Sequence, residues 1–259
     1  FRSIMAFTDS SYGLFQGSFY IAERAYNGAM LTGYQAVGDV DMFTIDPKQK
    51  FDDIEESQSG LGLTSAHIPV STSVGVKFRA LDIKMANWIR ATWGGSTGAV
   101  TGASVGSETV VLYNGQMTPL AHPGVSNVVI AGAVLNTDYT VDAVNGAINV
   151  LASSTTIPDG TPLTTTVSYT YADYAGKVQA FTTGQRYYSA RLHGRNTAQG
   201  NQPVIVYCNQ IAFDMAKVLN LIEKKHFGFE MDGMLLQDTT IALPADATDL
   251  SQFFSVVKA

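Results

Sequence analysis

The clearest pattern along this chain is a run with period two. In Val74 to Ala80, VGVKFRA, the apolar Val74, Val76, Phe78 and Ala80 fall on one face. Lys77 and Arg79 fall on the other, which predicts a half-buried β-strand. The period then changes. Asp82 begins a segment in which Met85, Ile89 and Trp93 recur every four residues, a single stripe on a helix. Asp82 is placed to cap that helix, Arg90 suits the dipole of its last turn, and Gly94 supplies a stop. The stripe Met85, Ile89 and Trp93 is read as the face that packs on a sheet. Upstream, Leu14 to Ala25 and Gln35 to Ile45 read as strands, the first with an irregularity at Gly17. Residues 1–13 have little pattern and read as an N-terminal arm.

Turn signals organise the remainder. A Gly/Ser/Thr/Ala-rich stretch, Gly94 to Gly106, reads as a linker into a different unit. Asn114-Gly115, Asn145-Gly146 and Asp159-Gly160 then punctuate short apolar runs, and the second lies between YTVDAV and AINVLA as a hairpin signal. Strand-like runs resume after Gly176, including RYYSARLH and PVIVYC. The expected class is therefore mainly β, with a core in two parts, 14–98 and 176–259, around an inserted β-rich subdomain at 99–175.

Composition changes this picture in one respect. Of the 259 residues 15% are charged, against about 25% in ordinary soluble domains, while 46% are hydrophobic. Much of the surface is then expected to be covered in an assembly, or else to take its polarity from Ser and Thr. The formal net charge is −6, which argues against a nucleic-acid grip built on Lys and Arg. The acidic residues concentrate. Asp39, Asp41, Asp46, Asp52, Asp53, Glu55 and Glu56 lie between Gly38 and Gly60, opposed only by Lys48 and Lys50. Lys48 to Gly62 lacks sustained periodicity and reads as a long loop or the tip of an extended hairpin. Lys48, Lys50, Asp52, Asp53, Glu55 and Glu56 are its candidate contacts to a neighbouring subunit.

Chemistry finds little support. Gly94-Gly95-Ser96-Thr97-Gly98 has the letters of a nucleophile elbow, but the predicted helix precedes it instead of following a strand. His67, His122, His193 and His226 are widely spaced, with no metal-ligand spacing among them. No phosphate-binding glycine loop occurs. The single cysteine, Cys208, lies in a strand-like run and reads as a buried small hydrophobe suited to a reducing compartment. No signal-like or membrane-spanning run appears. The reading is of a protein without enzymatic activity, cofactor or metal.

One stretch resembles a known family. Gly38-Asp39-Val40 opens a strand, an acidic stretch ends in Glu55 to Gly60, and a helix closes near Trp93-Gly94. This order resembles the core of the major tail tube proteins of long-tailed bacteriophages. Gly194, Asn196, Ala198 and Gly200, then Phe227, Phe229, Glu230 and Gly233, resemble its later turn and final hairpin. The inserted segment, with DYTVDAVNGAINVL and VSYTY, resembles an insertion common in phage virion proteins. The resemblance implies two packed antiparallel sheets with one flanking helix. Further implications are hexameric rings stacked into a tube, and contacts to tail terminator, tape measure and baseplate or tip proteins. Double-stranded DNA would pass through unbound. Such a subunit would be a virion tail component assembled in the host bacterial cytoplasm. The alternative is an adhesive or decorating module, in which Val110 to Tyr174 binds a bacterial surface glycan. Tyr169, Tyr171, Tyr187 and Tyr188 are of a type that binds sugars but more often fills sheet faces or interfaces.

Overall fold

The computed structural model describes residues 15–55, 64–222, 224, 226–242 and 251–258. The protein is mainly β, with antiparallel sheets and one α-helix among the described residues. It divides into two compact units, one formed by 1–95 with 178–259 and the other by Ser96–Lys177. The expected arm, 1–13, lies outside the described residues.

The first unit holds β1 (Phe15–Arg24), β2 (Gln35–Gly38), β3 (Val40–Glu55), β4 (Thr64–Ala80) and the helix α1 (Met85–Thr92). After the second unit come β13 (Tyr187–Asn196), β14 (Gln202–Phe213), β15 (Phe229–Leu235) and β16 (Phe254–Lys258). Two packed sheets were expected. The structure instead has one hydrogen-bonded sheet, ordered β2-β1-β13-β14-β15-β4-β3, with β16 also on β14. The reason is the length of β14. Its first half pairs with β16 over Val204–Cys208 and its last residues pair with β15 over Ile211–Phe213, so one strand carries the ladder from layer to layer. The sheet folds over on itself. Phe19 of β1 meets Phe43 of β3 at 4.7 Å and Phe78 of β4 at 5.1 Å between ring centroids. The alternation in VGVKFRA is used as its period demands, with Val74, Val76, Phe78 and Ala80 all in the core.

The helix forms where the period of four placed it, but a different face goes inward. Met85, Ile89 and Trp93 are only half-buried, whereas Asn87, Arg90, Ala91 and Thr92 are buried. Trp88 packs edge-on against Phe229 at 4.8 Å and stacks on Phe227. The polar members of that face are satisfied. Asn87 Nδ2 donates to the carbonyls of Val37 and Asp82, and Arg90 donates to Asn87 Oδ1 and Gln35 Oε1. The helix thus ties down the end strand β2 by hydrogen bonds, a pattern that no apolar stripe encodes. Asp82 makes no cap. Its carboxylate pairs with Lys84 and accepts from the Asp39 backbone, which holds it below the usual carboxylate range. That carboxylate also explains Gly38, whose φ is +105° and where a Cβ would lie 2.1 Å from Asp82 Oδ2. The left-handed residue ending the helix is Trp93, at φ 45°, not Gly94.

The second unit was expected at 99–175, and the compact body runs over Ser96–Lys177. Between β5 (Gly95–Ser96) and β12 (Val178–Gln179) lie β6 (Ala103–Leu112), β7 (Met117–Pro119), β8 (Val125–Ile130), β9 (Tyr139–Asp142), β10 (Ala147–Val150) and β11 (Leu163–Tyr171). They form two three-stranded sheets, β6-β11-β8 and β7-β10-β9. The core includes Leu112, Ile130, Tyr139, Ile148, Ile157 and Val167. Asn145-Gly146 closes the β9–β10 hairpin, with Asn145 held by Asp142 and Gly146 at φ +66°. Asp138, almost fully buried, accepts from Ser154 Oγ at 2.6 Å and from the Val134 amide at 2.8 Å. The Ser154 bond, then the amide, hold its carboxyl below the usual range. Ser154→Ala should destabilise this unit by about 1.5–3 kcal/mol, because a buried carboxylate loses a donor. Chemical denaturation followed by hydrogen exchange in the second unit checks it, and an unchanged protection pattern would refute the clamp.

Candidate functional site

The segment from Lys48 was read as a long loop or the tip of an extended hairpin, and its described residues follow the hairpin. β3 and β4 pair continuously from Val40↔Ala80 out to Glu55↔Thr64. The inner part of β4, Val74–Ala80, is flanked by β15 on its other side. Among the described residues, β4 from Ser73 outward pairs with β3 alone, so the two strands leave the sheet as a two-stranded ribbon. Eight residues of β3, from Lys48 to Glu55, carry it roughly 25 Å outward at the usual rise per residue. Every residue of β3 from Asp46 on is exposed.

Lys48, Lys50, Asp52, Asp53 and Glu55 therefore share one strand of this ribbon. Glu56 lies outside the described residues. Beyond Lys50 the described part of the ribbon has three carboxylates and neither Lys nor Arg. Sequence reasoning on charge missed its apolar residues. Phe51, Ile54, Ile68 and Val70 are 38%, 47%, 47% and 59% exposed. Register places Ile54 opposite Ala66 and Asp52 opposite Ile68, on one face that Val70 continues. Phe51 opposite Pro69, and Asp53 opposite His67, take the other face. The signal was present in HIPV, where Ile68 and Val70 alternate with His67 and Pro69.

Local contacts hold the ribbon's shape. Phe51 stacks on His67 at 4.0 Å, His67 Nδ1 bonds the Asp53 carboxylate, and Ser65 Oγ donates to the Ile54 carbonyl. Register shifts at Lys50/Phe51 and at Ile54/Glu55 add local twist. An isolated two-stranded ribbon is at best marginally stable in water, and its unpaired edges are templates for further pairing. The physics of this element favours contact with another surface.

The chemically suggestive residues sit in packing roles. His122 stacks on Tyr171 at 3.9 Å and bonds the Tyr174 hydroxyl, and His193 packs on Tyr20. The backbone carbonyl of His226 accepts from Arg79. Ser96 Oγ accepts from the Gly98 amide. Burial pushes the Cys208 thiol up to about 12. Among the described residues, no cluster of His, Cys, Asp or Glu is arranged to hold a metal. Among the same residues, no helix is long and apolar enough to cross a membrane.

A family model described as "Protein of unknown function UCP028589" matches residues 12–257. The chain belongs to this family. The match spans both compact units, the ribbon and the helix. No curated protein matches the chain.

Proposed function

We propose that this chain is a structural subunit that assembles with its own copies, in the manner of a phage tail tube. In that reading the first unit is the ring-forming body and the β3–β4 ribbon is the element that docks on an adjacent ring. DNA passes through the resulting channel on its way from the phage head to the infected cell. The observation that carries the reading is the ribbon itself, with both faces exposed, four large apolar side chains in water and a carboxylate-rich end. Three further features support it. Only 15% of residues are charged, as suits a surface that is covered in use. The net charge of −6 disfavours adhesion to a passing phosphate backbone. The order of Gly38-Asp39-Val40, acidic segment and helix resembles the tail tube core.

Electron microscopy of the purified protein over a range of concentrations tests this. Rings or hollow tubes with a regular axial repeat are expected. A protein that stays monomeric at every concentration, and with a tail initiator complex, would overturn the proposal. Replacing Asp52, Asp53, Glu55 and Glu56 with Ala should suppress stacking. Folding should change by no more than about 0.5 kcal/mol per exposed position. Tubes of normal length from that variant would remove these carboxylates from the docking role.

A second reading draws on the separate core of Ser96–Lys177 and its half-buried Tyr171–His122 stack. This unit would then be an adhesive module displayed on the assembly, and a pull-down on bacterial envelopes tests it. Retention of the chain on envelopes is the deciding result.

A further inference from the structure

The first unit has an open cleft of about 720 Å³ where β1, β3, β13, β14 and β16 come together. Its walls are mostly apolar, with Phe15, Phe43, Leu192, Val204, Val206 and Val256 among them. Phe15 and Val256 are 57% and 56% exposed. So much apolar wall in contact with water is unfavourable, and covering it with another apolar surface is favourable.

The lip carries a cation. Lys258 is two residues beyond Val256 and so shares its face of β16. It is exposed, and no ion pair among the described residues involves it. The carboxylate within the cleft, Asp41, is already bonded to Arg79 at 3.1 Å.

The distal ribbon has the complementary arrangement. Ile54, Ile68 and Val70 offer an apolar face, with Asp52 on it and Asp53 and Glu55 beside it. We infer that the cleft is the seat for the distal β3–β4 ribbon of a second copy of this chain. Its apolar face would cover the cleft walls, and its carboxylates would meet Lys258. The seat must be filled from another copy. β3 lines the cleft with Val40, Phe43 and Ile45 and then continues unbroken into the ribbon, so a ribbon cannot double back into its own cleft. Ribbon and cleft are different surfaces of one chain, and each copy offers both. Such a heterologous contact propagates instead of closing on a pair. This inference rests on the self-assembly reading and names the acceptor that reading leaves open.

Two single-cysteine-addition variants test it, Ile68→Cys and Val256→Cys, both at exposed positions. The native Cys208 stays in both, because it is buried and its thiol is raised to about 12, which leaves it unreactive. The variants are mixed under assembly conditions and treated with a short thiol-to-thiol crosslinker. A dimer band well above that of either variant alone is expected. Rings or tubes without that band would overturn the seat while leaving self-assembly standing. A mixture that never exceeds monomer size, at any concentration and with a tail initiator complex present, would overturn both. Lys258→Glu in the Val256→Cys chain should lower the crosslink yield about fivefold, the effect of one exposed ion pair. An unchanged yield would remove Lys258 from the seat.

Discussion

Phe78→Ala is expected to destabilise the first unit by about 3–5 kcal/mol, a large share of the stability of an ordinary domain. Phe78 is fully buried near the C-terminal end of β4, with its ring 5.1 Å from that of Phe19 and 5.2 Å from that of Phe213. Its backbone is paired to Phe43 on one side and Met231 on the other. Ladders on both edges hold the strand, so the walls of the cavity left by the ring have little freedom to close. That places the substitution toward the costly end of the large-to-small range. Two aromatic contacts of roughly 0.5–1.5 kcal/mol each are lost besides the buried area. The readout is selective. The chain has two tryptophans, Trp88 and Trp93, and both belong to the first unit. Tryptophan fluorescence in urea therefore follows this unit alone. A loss below about 1 kcal/mol would mean that the fold-over of the sheet is not held at Phe78.

What the sequence disclosed follows from how each element is exposed. Val74–Ala80 was legible because one face is buried and the other is not, so side chains record the strand period. The outer ribbon was legible only as one of two alternatives, a long loop or an extended hairpin. Both of its faces are exposed, so no burial alternates along β3, and the ladder that decides between them is made by backbone groups. The helix was legible in position but not in facing. Met85, Ile89 and Trp93 recur at the right spacing, yet the inward side is fixed by what β2 offers, namely the Val37 carbonyl and the Gln35 amide, and Asn87 and Arg90 answer those groups. Two sheets were expected where one continuous sheet exists, because a single strand passing between layers is written in its partners and not in itself. The cleft was invisible for the same reason. Its walls come from residues near both ends of the chain, from Phe15 to Val256.

The least local feature supports the second large prediction. Arg24 and Asp238 are 214 positions apart and form a buried ion pair at 2.6 Å, with side chains 6% and 4% exposed. Arg24 also donates to the carbonyls of Asn209 and Gly28, and Asp238 accepts from the Thr240 hydroxyl and amide. The pair fastens the chain after β15 to the end of β1. Asp238→Asn would leave the guanidinium buried without its counter-charge, which is expected to cost about 3–5 kcal/mol at neutral pH. The cost has a pH signature. Burial alone would raise the Asp238 carboxyl, but the bonds from Arg24 and Thr240 outweigh it and hold the group below the usual carboxylate range. A carboxyl lower in the folded than in the unfolded chain stabilises fully above its unfolded value of about 4, and that contribution disappears as pH falls through the folded value. Other lowered carboxyls, such as Asp82 and Asp138, act in both chains and cancel in the comparison. The parent should therefore exceed Asp238→Asn by several kcal/mol at pH 7, and the gap should narrow on acidification below about pH 4. Urea unfolding followed by tryptophan fluorescence across that range measures it. A gap that stayed constant down to the acid limit would show that the variant acts through packing, and that charge pairing at Arg24 is not what secures the C-terminal segment.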